Sequence, residues 1–446
     1  MESRLIYPNR PPAEPPMPEK PEPGKTGLWG AHDPAVFRDP EGGKYFMYCT
    51  GGNIFRSDDM VSWEYIGKII EKVPEEVFRW TGSDGLWAPD IIKVGDEYRM
   101  YCSNSTFGSQ RSAIYLAVSD RPEGPFEYRG MVVRTNGNSP VNAIDANPIK
   151  DAHSDDVYMA FGSFWGGIRL MKLDCEGLAD DRSLCKDGRT PLSAMGPLIA
   201  CRPDWTTTGI EGSYIKYNPK NEYYYLFASY GSLASDYNIR VGRSRYITGP
   251  YVDMNGRPMT DEIDNDLRTG YMIACGYRFE NSQGWMGPGH NSVLNDDGEW
   301  YLMSHIRPYA VNGPVLSTMH LRRMVWSPDG WPMASPEPYA GEPIQPVPAS
   351  EMTGLYEWIT LMPMLPQSVI GSAPFALMDG GKMRLSGYVK GYWTTYGENG
   401  LIVEIGGGHT VTGAALTAWD HENDRPTLVF TGITNEGVAV WAKKVK

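Results

Sequence analysis

The chain has 446 residues, a formal net charge of −13 and a sequence pI of about 5.1, a length that suits roughly two domains. Nucleic acids and anionic membranes both require a basic footprint, so neither is expected as a partner, and a neutral ligand suits this charge better. Aromatic residues make up 12%, with 14 Trp and 27 Tyr, and the 50 Gly and 36 Pro supply turns, which favours an all-β chain of many short strands over a helical one.

Residues 1–25 form a Pro-rich leader, expected to lie extended over the domain surface. It has no apolar h-region, so the chain is expected to be cytoplasmic, or secreted but expressed without its signal. No segment has the length and apolarity to span a membrane.

From His32 one unit is written five times. "HDPAVFRDPEGGKYFMYCT", "APDIIKVGDEYRMYCSNS" from Ala88 and "IDANPIKDAHSDDVYMAFGS" from Ile144 are the first three. "IEGSYIKYNPKNEYYYLFASY" from Ile210 and "GHNSVLNDDGEWYLMSHI" from Gly289 complete the set. Each has a polar residue, a short apolar strand, a turn and a second, aromatic strand, the pattern of a β-hairpin. A second hairpin-like stretch follows most of them, as in "IFRSDDMVSWEYIG" from Ile54. Two hairpins make a four-stranded blade, and five blades predict a β-propeller over 26–345. From 346 to 446 the pattern changes to strands such as "GLIVEI" and "PTLVFTGI", which predict a small C-terminal β-barrel or sandwich.

The six cysteines contain no CxxC pair, which argues against a zinc or redox motif. Cys49 and Cys102 read as buried thiols, and pairing among Cys175, Cys185 and Cys201 stays open.

At the head of the five units stand Asp33, Asp90, Asp145, Glu211 and His290. First strands of propeller blades line the central channel, so these side chains are expected to converge on the axis. Four carboxylates and a histidine so placed suit a metal site or acid–base catalysis. Glycoside hydrolysis fits best, because it needs one ionised carboxylate and one that keeps its proton. Glu211, in "TGIEGSYI", has small and apolar neighbours that favour the protonated form, and Asp33 lies in a more polar stretch.

"HDPAVF", "LWAPDI", "IDANPI", "GSFWGGI", "IEGSYI", "YNIRVGRS", "GPGHNSVL" and "DGWPMASPEPYAGE" resemble glycoside hydrolase family 43, most of all its two-domain endo-α-1,5-L-arabinanases. "LVFTGITNEGVAVW" is similar to their accessory β domain. The resemblance implies Asp33 as general base, Glu211 as general acid and Asp145 as the residue that tunes and orients Glu211. It implies inversion, with base and acid about 6.5–9.5 Å apart. It also implies a divalent metal ion, commonly calcium, on the axis near His290 and held partly through water. Trp87, Asn147, Ser163 and Trp165 would lie along the sugar groove, with Trp165 equally readable as core, and His32 would shape the pocket. The implied substrate is arabinan or an arabino-oligosaccharide, and a monomer is expected. The stretch "SHIRPYAVNGP" departs from the pattern, and Arg307 within it faces either groove or solvent. Alternatives are an exo-arabinanase, a family 43 arabinofuranosidase or xylosidase, a non-catalytic sugar-binding propeller, and a retaining fructan-type hydrolase suggested by "FRDP". Turn chemistry at Asp39 explains that last stretch better.

Overall fold

The computed structural model describes residues 5–14, 22–28, 30–203, 206, 209–264, 266–309, 317–362 and 369–445. The leader's residues 1–4 and 15–21, and 310–314 of the departing stretch, lie outside them.

Five sheets, whose blade strands pair antiparallel, have as their inner strands Ala35–Arg38, Trp87–Val94, Asn147–Lys150, Gly209–Asn218 and Trp285–Asp296. Each of these strands touches the next, and the fifth touches the first, so they close a ring around an axis. The second strand of a blade is apolar on both faces because a neighbouring blade covers each. Tyr224, Leu226 and Ala228 pack toward the third blade, whereas Tyr225 and Phe227, one step out of phase, pack toward the fifth. This is the period of two of a strand, used twice. The propeller core is therefore a set of apolar clusters between adjacent blades. The first and last blades exchange no strand. Their junction is held by a shared cluster that includes Val36, Met47, Leu294 and Met303, and by Ser292 Oγ, which accepts from Val36 N (3.0 Å) and donates to Pro34 O (2.8 Å). Asp39 organises the first hairpin turn, accepting from Gly42 N at 2.7 Å and Tyr98 OH at 2.6 Å.

Residues Gly354–Leu361 to Ala439–Lys444 form a closed eight-stranded barrel, which decides between barrel and sandwich. Trp358, Phe375, Trp393 and Phe430 fill its core. The short strand Ile370–Gly371 pairs in parallel with Tyr277–Arg278 of the fifth propeller sheet. The leader docks on the barrel: Leu5 and Tyr7 pack against its core, Ile6 N donates to Gln345 Oε1 at 2.9 Å, and Arg10 pairs with Asp424 at 2.8 Å. All six cysteines are free. Among the described residues the only α-helices are Glu75–Thr81 and Ala349–Met352, and no helix is long and apolar enough to cross a membrane.

Candidate active site

The head of each inner strand carries one residue in the left-handed region: Asp33 (φ 51°), Ala88 (φ 35°), Asp145 (φ 64°), Gly212 (φ 57°) and His290 (φ 44°). The bend turns the chain from the connecting loop into the channel. A partner set recurs with it. The second strands end in the repeated stretches MYCT, MYCS, MAFG, LFAS and LMSH, so Thr50, Ser103, Gly162, Ser229 and His305 are equivalent. Each of these side chains, where there is one, holds the bent backbone of the next blade. Ala88 N donates to Thr50 Oγ1 (2.8 Å), Asp145 N to Ser103 Oγ (2.9 Å), His290 N to Ser229 Oγ (2.7 Å) and Asp33 N to His305 Nδ1 (3.3 Å). Gly162 has no side chain to offer, and there Gly212 N donates to Asp145 Oδ2 instead, at 3.1 Å.

This frame refines the alignment read from sequence. Asp33, Asp145 and His290 share the bent position. Glu211 stands one residue before it. Asp90 stands two residues after, level with Asn147, and Asn147 Nδ2 donates to Asp90 Oδ2 at 2.8 Å. Asp90 is thus one layer deeper in the channel, where burial pushes its carboxyl up to about 7 against hydrogen bonds from Asn147 and Ile91 N and the charge of Lys216. Asn147 is buried as well, and its Oδ1 accepts from Ile215 N at 2.7 Å. Its amide is spent inside the channel rather than in the groove.

The upper layer separates two charge states. Burial alone would raise Asp33, but His290, His32 and His305 hold its carboxyl well below the usual carboxylate range. Asp33 Oδ1 lies 3.2 Å from His290 Nδ1, 3.3 Å from His305 Nδ1 and 3.5 Å from His32 Nε2, and Oδ2 accepts from Thr50 Oγ1 at 2.6 Å. Asp145 is pushed well above the ordinary range by burial and by the negative charges of Glu211 and Asp33. Burial raises Glu211 too, although Ser163 Oγ donates to its Oε2 at 2.7 Å and Tyr237 OH to its Oε1 at 2.9 Å. The site therefore holds an ionised carboxylate opposite a carboxyl pair that keeps a proton.

Three of these contacts were not anticipated. Tyr237 and Thr50 stand in stretches already singled out, but nothing local marks them as partners of a carboxylate. His305 could have been found: it is the one imidazole at a repeat position filled elsewhere by Thr, Ser or Gly. Its ring stacks between His32 (centroids 4.4 Å apart, 12° between planes) and Tyr237 (5.7 Å, 8°). It thereby joins the surroundings of Asp33 to those of Glu211. Burial lowers its pKa to about 4, so it is neutral at ordinary pH.

Ser163, expected in the groove, is buried and faces Glu211. Trp87 is half-buried at the head of its strand. His32 is half-buried, with Nδ1 3.0 Å from Ser317 Oγ. Trp165, at 41% exposure, lies on the surface and not in the core. Phe164 and Trp165, Phe107 and Tyr309 are all exposed large aromatics on segments that follow second strands, so all stand at the channel end where Asp33 and Glu211 lie. Arg307 is half-buried, near Gly287 and the 233–237 stretch.

Residues 27–332 match glycosyl hydrolases family 43. This chain belongs to that family. Residues 336–442 match its C-terminal lipocalin-like domain. The family 43 enzyme is 29% identical to the extracellular endo-alpha-(1->5)-L-arabinanase of Thermotoga petrophila, over 94% of this chain and 95% of that one. It is 34% identical to an extracellular exo-alpha-(1->5)-L-arabinofuranosidase of Cellvibrio japonicus, over 68% of this chain and 85% of that one. Among solved structures, a family 43 YxiA protein of Bacillus licheniformis matches with a TM-score of 0.83 at 29% identity, covering 96% of this chain and 100% of that one. The Thermotoga petrophila endo-1,5-alpha-L-arabinanase with TRIS matches at 0.82 and 28% identity, covering 94% and 99%. An exo-1,5-alpha-L-arabinanase from a bovine ruminal library matches at 0.57 and 34% identity, covering 71% and 99%.

Proposed function

We propose that this family 43 hydrolase cuts α-1,5-linked L-arabinan internally, with inversion at the anomeric carbon. The observation that carries the reading is the split of charge state across one channel, Asp33 ionised opposite a Glu211–Asp145 pair that keeps a proton. Glu211 gives its proton to the departing glycosidic oxygen as the C–O bond breaks. Asp33 takes a proton from a water whose oxygen attacks the anomeric carbon from the opposite face. Asp145 shares the retained proton of the pair with Glu211, since two buried carboxyls side by side do not both ionise, and it holds Gly212, which follows Glu211 in the chain. Exposed rings around the mouth offer faces for sugar C–H groups. Internal cleavage is favoured because the arabinanases that match both domains are named endo-acting; matches to the propeller alone include endo- and exo-acting relatives alike.

A divalent cation near His290, calcium by expectation, belongs to the same proposal. Ligand atoms of His32, Asp33 and His305 lie within 4.8 Å of one another, and His290, which is outside that cluster, has Nδ1 3.2 Å from Asp33 Oδ1, so these donors can hold a cation beside His290. They are rich in nitrogen, whereas calcium favours oxygen, so water would supply most of its shell. When bound, it would add fixed positive charge beside Asp33. Action as a monomer, and outside the cell as for the relatives named extracellular, complete the proposal.

The test is a product time course on debranched arabinan beside arabinoxylan, with the first-formed anomer followed by NMR. Mixed oligomers of inverted configuration are expected early. A single short product from the start, or retention, would overturn the reading. Glu211→Gln is expected to lower kcat by about three orders of magnitude while oligosaccharide still binds.

A further inference from the structure

The outer face of the C-terminal barrel carries cations and rings that the rest of the chain does not use. In the hairpin Lys382–Leu385 and Val389–Tyr396, Lys382 pairs with Tyr392 and Arg384 with Lys390. Met383 and Trp393 point inward and are buried, so Lys382, Arg384, Lys390 and Tyr392 share the outward face, where all four are exposed. Tyr392 is 63% exposed, and Tyr388 in the connecting turn is 90% exposed. Arg384 and Lys390 are like charges directly opposite each other, an arrangement that works against the hairpin. None of the three cations enters an ion pair with a described carboxylate. Glu404, opposite Tyr392 on the next strand, is the nearest acid in register. In a chain of net charge −13, three clustered and unpaired cations beside two bare tyrosines are a local reversal of character.

We propose that this face binds an anionic polysaccharide built of uronic acids, apart from the catalytic channel. The charge pattern selects the ligand. A neutral pentose polymer makes no use of three cations, and a simple polyanion makes no use of two tyrosine faces. A polyuronate offers both a carboxylate on each residue and C–H faces that stack on aromatic rings. The strand period of two sets Lys382 and Arg384 in line along one strand, with Lys390 and Tyr392 in line along its neighbour, a strip suited to an extended chain. Bound there, the enzyme would be held on an acidic matrix while the propeller works on neutral chains nearby.

Affinity electrophoresis of the full-length protein in gels containing polygalacturonate tests this. Wild type is expected to be retarded, and less so as salt rises. The variant K382E/R384E/K390E is expected to bind roughly tenfold more weakly, the size expected when three screened charge contacts are lost together. Tyr388→Ala with Tyr392→Ala should also weaken binding. Both variants should hydrolyse a soluble arabino-oligosaccharide at the wild-type rate, which shows that they fold. Wild type that is not retarded overturns the proposal. So does equal retardation of the variants, equal binding of a fully methyl-esterified polymer, or capture by anionic phospholipid vesicles with none by polygalacturonate.

Discussion

Asp33 and Glu211 are the same functional group, and their neighbours give them opposite tasks. Three imidazoles around Asp33 outweigh its burial, whereas two hydrogen bonds to Glu211 do not outweigh its own. On the proposed roles, the proton that Glu211 shares with Asp145 sets the alkaline limb of kcat/KM, because activity is lost as that proton leaves. Ser163 donates to Glu211 and so favours its ionised form. Ser163→Ala should therefore move the alkaline limb to higher pH and lower kcat/KM by about tenfold, since the bond also stabilises charge as the proton departs. Asp145→Asn removes the second carboxyl of the pair, whose like charge holds the shared proton on as pH rises, and should move the same limb to lower pH. Paired pH–rate profiles check this, and shifts of the same sign would refute the assignment. The channel carboxylates were legible in the sequence because the repeat places them at strand heads. Tyr237 was not, because its role depends on which side chains meet across blades; His305 was marked by its repeat position, but not its stacking between His32 and Tyr237.

Each inner strand is pinned at its bend by a side chain of the preceding blade. Removing one such hydroxyl leaves a buried N–H without a partner. Ser229→Ala, which releases the backbone of His290, should cost about 1–3 kcal/mol in urea unfolding. Below the bend, Asp90 couples stability to pH. Folded, it keeps its proton up to about pH 7, against an ordinary value of 3.8. Between those values the folded state holds the extra proton, so stability falls as pH rises, by at most about 4 kcal/mol. Asp90→Asn should flatten that slope in denaturation curves measured across the same window. Blades were legible as elements because hairpin turns and alternating strands are local. The offset of Asp90 from Asp33 was not, because a bend before the strand adds residues that an alignment of motifs does not see.

Propeller and barrel are joined through charge as well as strand pairing. Lys443 is fully buried, with Nζ 2.8 Å from Glu337 Oε1, 2.8 Å from Asp420 Oδ1 and 2.5 Å from Glu422 Oε2. Burial and the charge of Glu422 push Glu337 up to about 8 even beside this ammonium. One cation thus serves three carboxylates at the junction. Lys443→Met should destabilise by about 3–5 kcal/mol, because it strands charges that remain buried. The loss should grow above pH 8, as Glu337 gives up its proton. Calorimetry should show the single transition splitting or broadening if the domains then unfold apart.

The sequence alone determined the blade count, the change of architecture near residue 346 and the carboxylates of the channel. All three rest on short-range patterns: strand periodicity, turn residues and repetition. The C-terminal strands left barrel and sandwich open, since strand pattern does not say whether a sheet closes on itself. Only the tertiary structure decided that closure, the depth of each acid in the channel and the partners that set its charge. Those depend on contacts between residues far apart in the chain, as Asp33 and His305 are, and ring closure brings them within 3.3 Å.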